Sequence, residues 1–183
     1  MTNLGGGLVA NSEIITDLKN AVAKEIMQDE AFYYAIDSPK ISSVEDRDKL
    51  TKYNIFSYNK NPDTITDVTT FLTIMVQIPK TYDRNNTWVM PRLEIWIYSH
   101  NDHMDVNNIP KVTDNRNDYI SKLLDKKFNG RDTLGGSKND KYNLHLFGKL
   151  DLVHNVEGTY SPKFLYRQMI FETKDLNKSQ CEE

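Results

Sequence analysis

This 183-residue sequence predicts an α+β fold: a mainly antiparallel β-sheet with two amphipathic helices packed on it, and long loops or arms. Three observations lead there. Four segments, about 68–78, 89–98, 144–153 and 163–173, alternate apolar and polar residues with the period of a strand. Two segments, near 13–29 and 115–129, repeat apolar residues with the period of a helix. Alternating strands beside helices with one apolar stripe must bury those surfaces against each other.

Residues 1–11, with Gly5-Gly6-Gly7, read as a flexible N-terminus ahead of a single domain over 12–176. Ser12 is the expected N-cap of the first helix, with Glu13 favourable against its dipole. Ile14, Leu18, Val22 and Ile26 recur every fourth residue, and Ile15, Ala21 and Met27 widen the stripe. Ala31 to Ile36 either continues that helix or forms a second short turn, and Asp37-Ser38-Pro39 stops it. Val44 to Leu50 suits a helical turn. Residues 51–67 read as a loop pinned by aromatic anchors, ending at Asn61-Pro62-Asp63.

Val68 to Ile78 is the clearest strand. Leu72, Ile74 and Val76 share one face, while Phe71, Thr73 and Met75 share the other. Pro79 ends it by removing a ladder donor. On the returning strand, Leu93, Ile95 and Ile97 face one way and Arg92, Glu94, Trp96 and Tyr98 the other. That second, mixed face is expected to be half exposed or covered by a neighbouring subunit. Pro91 implies an edge or a bulge. Asn115 or Asp114 caps the next helix, whose stripe is Tyr119, Ile120, Leu123, Leu124 and Phe128. Gly130 suits its left-handed stop. Leu144, Leu146, Leu150 and Leu152 then alternate, with Gly148 as a bulge or close approach. A turn is expected at Glu157-Gly158, before a last strand from Lys163 to Thr173. Residues 177–183 read as a flexible tail.

Composition excludes several function classes. With 23 basic and 26 acidic residues the net charge is −3, which argues against a general nucleic-acid coat or strong membrane-surface binding. The single cysteine, Cys181, allows no intramolecular disulfide and no cysteine zinc cluster. This fits synthesis in a reducing cytoplasm. Residues 1–10 lack the basic and apolar regions of a secretory signal. No run approaches the ~20 apolar residues of a membrane span.

Candidate chemistry is sparse. His100-Asn101-Asp102-His103-Met104-Asp105 offers nitrogen and oxygen ligands, but no distant partner completes a metal site. Pro62-Asp63 followed by Glu94-Ile95-Trp96 faintly resembles a metal-dependent nuclease pattern, with Trp96 where a lysine should orient the attacking water. Gly135-Gly136-Ser137-Lys138 has neither nucleophile-elbow order nor phosphate-loop spacing. The expectation is therefore no catalytic residue, no cofactor and no metal. Trp88, Trp96 and Tyr98, with Phe56 and Tyr58, are candidate interface anchors, because aromatics dominate binding hot spots. Ordinary core filling is the competing role.

The order of these elements resembles the neck proteins of tailed bacteriophages: tail terminators, also called tail-completion proteins, and the related head-closure components. The likeness runs over most of 12–176. It is carried by the helix Ser12–Met27, the segment Phe56-Ser57-Tyr58 to Pro62, and the ribbon Phe71–Ile78 with Leu93–Tyr98. The helix Tyr119–Phe128 and the ending from Leu150-Asp151-Leu152 to Phe171-Glu172-Thr173-Lys174-Asp175-Leu176 complete it. The resemblance implies a structural virion protein, assembled in the host cytoplasm, that forms a ring, commonly hexameric, at the head–tail junction. Its implied partners are copies of itself, the tail tube protein, the head-closure or connector protein, and a sheath where the tail contracts. DNA is only cargo passing through the ring. The loops 80–87, 99–114 and 131–143 are the implied arms to neighbours. A head-closure protein is the nearest alternative. A phage nuclease, which would need convergent carboxylates, and a receptor-binding module, which would show trimeric β repeats, are rivals of other classes.

Overall fold

The computed structural model describes residues 11–78, 88–89, 91–134, 144–145 and 147–177. Residues 1–10 and 178–183 of the expected flexible ends, the loop 80–87 and residues 135–143 of the connector lie outside these residues, while Asn11 and Asn177 belong to a helix and a strand. The first helix, α1 (Asn11–Gln28), buries Leu18, Ala21, Val22 and Ile26, the stripe read from the sequence. It begins before Ser12, which therefore lies in its first turn rather than at its cap.

A separate helix, α2 (Glu30–Ile36), follows. Asp29 caps it by accepting from Ala31 N–H at 3.0 Å. It ends where Asp37 adopts the left-handed conformation at φ 50°. A 3-10 turn (Val44–Lys49), capped by Ser43, runs into the short helix α3 (Leu50–Tyr53).

The segment 51–67 is more ordered than a pinned loop. Ile55–Phe56 forms a short strand, β1, parallel to the central ribbon, and Pro62–Thr64 forms a 3-10 turn capped by Asn61. A two-residue strand shows no alternation, so its pairing was hidden from periodicity.

β2 (Thr70–Gln77) pairs antiparallel with β4 (Arg92–His100), with Phe71 opposite Tyr98 and Thr73 opposite Trp96. The expected strand 89–98 is split ahead of Pro91. Trp88–Val89 forms β3, which pairs with the far end of the last strand instead. A 3-10 turn (Asn101–His103) and a loop lead to α4 (Arg116–Phe128). Asn115 caps α4, accepting from Asp118 N–H at 2.9 Å while its amide donates to the Asp118 carboxylate at 2.7 Å. Gly130, at φ 81°, makes the expected left-handed stop.

Thr133–Leu134 and Leu144–His145 form a small ladder, β5 with β6. A long hairpin closes the chain: β7 (Phe147–Thr159) against β8 (Phe164–Asn177). The main sheet runs β1-β2-β4-β8-β7, antiparallel except at β1.

The turn expected at Glu157-Gly158 is not there. Both residues are inside β7, opposite Arg167 and Tyr166, and the chain reverses at 160–163 instead. Gly158 serves close approach: a Cβ there would lie 2.7 Å from the Tyr166 hydroxyl oxygen.

The helices cover one face only. Leu72, Ile74, Val76, Leu93, Ile95, Ile97, Met169 and Phe171 meet α1, α2 and α4, whose Ile120, Leu124 and Phe128 are fully buried. Each such side chain stabilises the fold by ~1.5–3 kcal/mol. The loop 99–114 packs against its own subunit. Val106 is buried, Asn108 donates to Tyr34 C=O at 2.7 Å, and Asn101 N–H bonds Lys163 C=O at 2.8 Å. Among the described residues no helix is long and apolar enough to cross a membrane.

Candidate functional site

The sheet face away from the helices carries a cluster of aromatic residues. Alternation puts Phe71, Thr73 and Met75 of β2, Glu94, Trp96 and Tyr98 of β4, and Phe164, Tyr166 and Ile170 of β8 on this side. Phe56, Phe71, Tyr98 and Phe164 form a second small core, with Ile65, Trp96 and Tyr166 packed at its margin. The rings make a ladder. Phe71 stacks on Tyr98 with centroids 5.1 Å apart, Tyr98 lies 6.0 Å from Trp96 with planes 8° apart, and Trp96 leans on Tyr166 at 5.1 Å. Tyr160, from the hairpin turn, stands edge-on to Tyr98 at 5.7 Å.

Above this ladder lies an open groove of about 490 Å³. Met75, Trp96, Tyr98 and Tyr166 form its floor. The 59–62 segment and the hairpin turn form its walls, through Asn59, Asn61, Thr159 and Tyr160. The two walls are tied together: Tyr160 donates its hydroxyl proton to Asn61 Oδ1 at 2.9 Å, and the same oxygen accepts from Asp63 N–H at 3.0 Å. Burial pushes the Tyr98 pKa up to about 12, with Tyr160 and Tyr166 adding to the shift, so its phenol stays neutral.

The structure gathers four of the five anchors named from sequence and separates their roles. Tyr98 is 4% exposed and Phe56 9%, so both fill the second core. Trp96 is half-buried in the groove floor. Tyr58 is 54% exposed beside Phe56, at 5.5 Å between centroids. Trp88 lies apart on β3, opposite Asn177, and its side chain is outside the described set. Sequence reading missed Tyr160, Tyr166, Asn59 and Asn61. The one available signal was that Tyr166 alternates with Phe164 on the last strand.

The histidines do not converge. His100 Nδ1 caps its own turn, accepting from Asp102 N–H at 3.1 Å. His103 points inward, with Nδ1 at 2.9 Å from Thr70 Oγ1. Thr70 meets Ser99 Oγ at 2.8 Å, and Ser99 donates to Asn117 Oδ1 at 2.7 Å. Read outward from Asn117, each hydroxyl has spent its proton on the previous acceptor, so neutral His103 keeps its proton on Nδ1. The order hydroxyl, imidazole and Asp37 carboxylate, the last 3.7 Å from Nε2, looks like a nucleophile relay. Thr70 and Ser99 are fully buried, however, so no substrate reaches them and the chain acts as polar mortar.

Arg116 completes this mortar at 2% exposure. It donates to the carbonyls of Ala35, His103 and Asp105 at 2.6 Å each, and lies 3.5 Å from Asp37. Asp63 sits on an exposed turn while Glu94 is buried within the sheet face. Among the described residues no group of three or more His, Cys, Asp or Glu side chains could hold a metal ion.

The hairpin edge is the other open feature. Gly130 and Arg131 exchange backbone bonds with Leu150, and Asn129 Oδ1 accepts from Leu152 N–H at 3.1 Å, which covers the start of β7. A bulge follows between Leu152 and His154. From Val153 to Thr159 the outer edge of β7 has no strand partner among the described residues.

A protein-family model described as YomW matches residues 19–173, from within α1 into β8. No curated protein and no solved structure matches.

Proposed function

The chain belongs to the YomW family, whose name is that of a phage gene family, and from that premise we propose that it is a structural protein of a tailed phage particle. The finer reading is a tail terminator: a ring at the head–tail junction that ends the tail tube and joins it to the head connector. Its partners in this reading are further copies of itself, the tube protein and the connector, with DNA passing through as cargo. It performs no catalysis.

The observation that carries the reading is the free outer edge of β7 over 153–159. A ring needs two different surfaces on each subunit, meeting head to tail. An unpaired strand edge supplies one ready-made surface, and exposed apolar groups beside it, Val153 and Val156, supply area to bury.

The test is to locate the protein in purified virions by immunogold labelling and to omit its gene during assembly. Label at the neck, with unjoined heads and tails of uncontrolled length after omission, is the expected result. Normally joined infectious particles would end the proposal. Tails of normal length beside filled heads that leak DNA would move the assignment to head closure. Divalent-metal-dependent DNA cleavage by the purified protein, lost in Glu94→Ala, would move it to a nuclease.

A further inference from the structure

The groove over the aromatic ladder has a chemistry that subunit packing does not require. No lining residue carries a carboxylate or a cation. That disfavours phosphates, nucleic acid and charged peptides, which need opposite charge at the contact. The floor is made of ring faces, Trp96 and Tyr166 in particular, and the walls carry carboxamides and hydroxyls. A pyranose ring has the matching surface: C–H groups on one face that lie on an aromatic ring, and an equatorial belt of hydroxyls that both donate and accept. We propose that this groove is a binding site for a neutral carbohydrate chain.

Two details support the assignment. The Asn61 carboxamide oxygen is occupied by Tyr160 and by Asp63 N–H, which fixes the side chain, while its Nδ2 donors have no partner among the described residues. A donor held in place in this way binds at low entropic cost. Under the floor, the Trp96 indole N–H and the hydroxyl of Thr73, its cross-strand neighbour, also lack hydrogen-bond partners among the described residues. Both groups lie on the sheet face that carries the groove, where a face built only for packing would present apolar groups. The volume of about 490 Å³ lies within the ordinary range for ligand clefts. A proline-rich peptide is the weaker fit, because it brings carbonyl acceptors but few donors and so pairs only part of the amide and hydroxyl walls.

Trp96 is a built-in reporter, since the chain has two tryptophans. In a Trp88→Phe background, fluorescence is titrated with N-acetylglucosamine oligomers, with neutral glucose and galactose oligosaccharides, and separately with a proline-rich peptide. The expected result is a saturable change with at least one of the sugars. Asn59→Ala and Asn61→Asp should each weaken it about tenfold or more, while Asn155→Ala, outside the groove, should not. Asn61→Asp retains an oxygen for Tyr160 and Asp63 N–H and replaces the donors with a second acceptor and a negative charge. If it lowers the thermal midpoint, Asn59→Ala alone carries the comparison. No saturable response to any of the sugars, equal affinity in the groove variants, or a response only to the peptide would overturn the assignment.

Discussion

Arg116 is buried where α4 meets the end of α2 and the loop 99–114. Its guanidinium holds three carbonyls from two chain segments, one of them at the C-terminal end of α2 where the helix dipole favours a cation. Arg116→Met removes the donors to all three carbonyls, so unfolding stability in urea should fall by about 3 kcal/mol, roughly 1 or more for each acceptor left without a partner. Arg116→Lys should recover only part of it, because one ammonium cannot reproduce the fork. His103 gives a pH signature. Burial first, and the neighbouring Arg116 second, lower its pKa below the ordinary 6.5, against the opposing pull of Asp37. The unfolded chain therefore takes up its proton at higher pH than the folded one does. The stability tied to neutral His103 is complete above about pH 6.5 and falls as pH drops through that value toward the folded pKa. Stability measured at pH 7.5 and 5.5 should show this loss, and His103→Gln should flatten it. At Gly158, a β-carbon would meet the Tyr166 ring, so Gly158→Ala should destabilise by ~1–3 kcal/mol.

At the scale of elements, α4 joins the sequence pattern to the core most directly. Leu124→Ala should cost ~2–5 kcal/mol by denaturant unfolding, because the side chain is fully buried between the helices and β4. That stripe, the Asn115 cap, the Gly130 stop and the faces of β2 and β4 were legible in the sequence, since each has a local period or a local cap. What escaped had no local signal. β1 is two residues long and gains its place only by pairing with β2, far along the chain. Glu157-Gly158 looks like a turn because glycine near an acidic residue usually marks one. Here the glycine makes room for Tyr166 across the ladder, a tertiary reason. The groove was half legible: Trp96 and Tyr98 share a face by simple alternation, whereas Asn59, Asn61 and Tyr160 reach it only through folding. Thr70 falls in the expected strand 68–78, Ser99 and His103 in the loop 99–114, and Asn117 in the expected helix 115–129. Nothing in their spacing says that they meet.

On the whole molecule, one sheet face is sealed by helices, the other carries the aromatic groove, and β7 forms a long edge. The bulge after Leu152 and the exposed Glu157 are devices that discourage indiscriminate pairing of such an edge. The edge is therefore suited to one defined neighbour. Its donors can be assigned from the ladder. Tyr160 N–H bonds Phe164 C=O, so by antiparallel alternation the N–H groups of Gly158 and Val156 face β8, and those of Asn155, Glu157 and Thr159 face outward. Glu157→Pro removes one outward donor and leaves the β7–β8 ladder intact. If neighbouring subunits pair along this edge, the variant should sediment as a monomer where the parent sediments as a closed oligomer. Its unfolding stability as a subunit should change by no more than ~1 kcal/mol, since the losses are an outward N–H and an exposed carboxylate whose partner Arg167 keeps Asp118. Val156→Pro, which deletes a ladder donor, should instead unfold the hairpin and serves as the contrast. Sedimentation velocity over a range of concentrations distinguishes these outcomes. A Glu157→Pro protein that still forms the parent oligomer would remove the β7 edge from the subunit contact, and with it the observation on which the ring proposal rests.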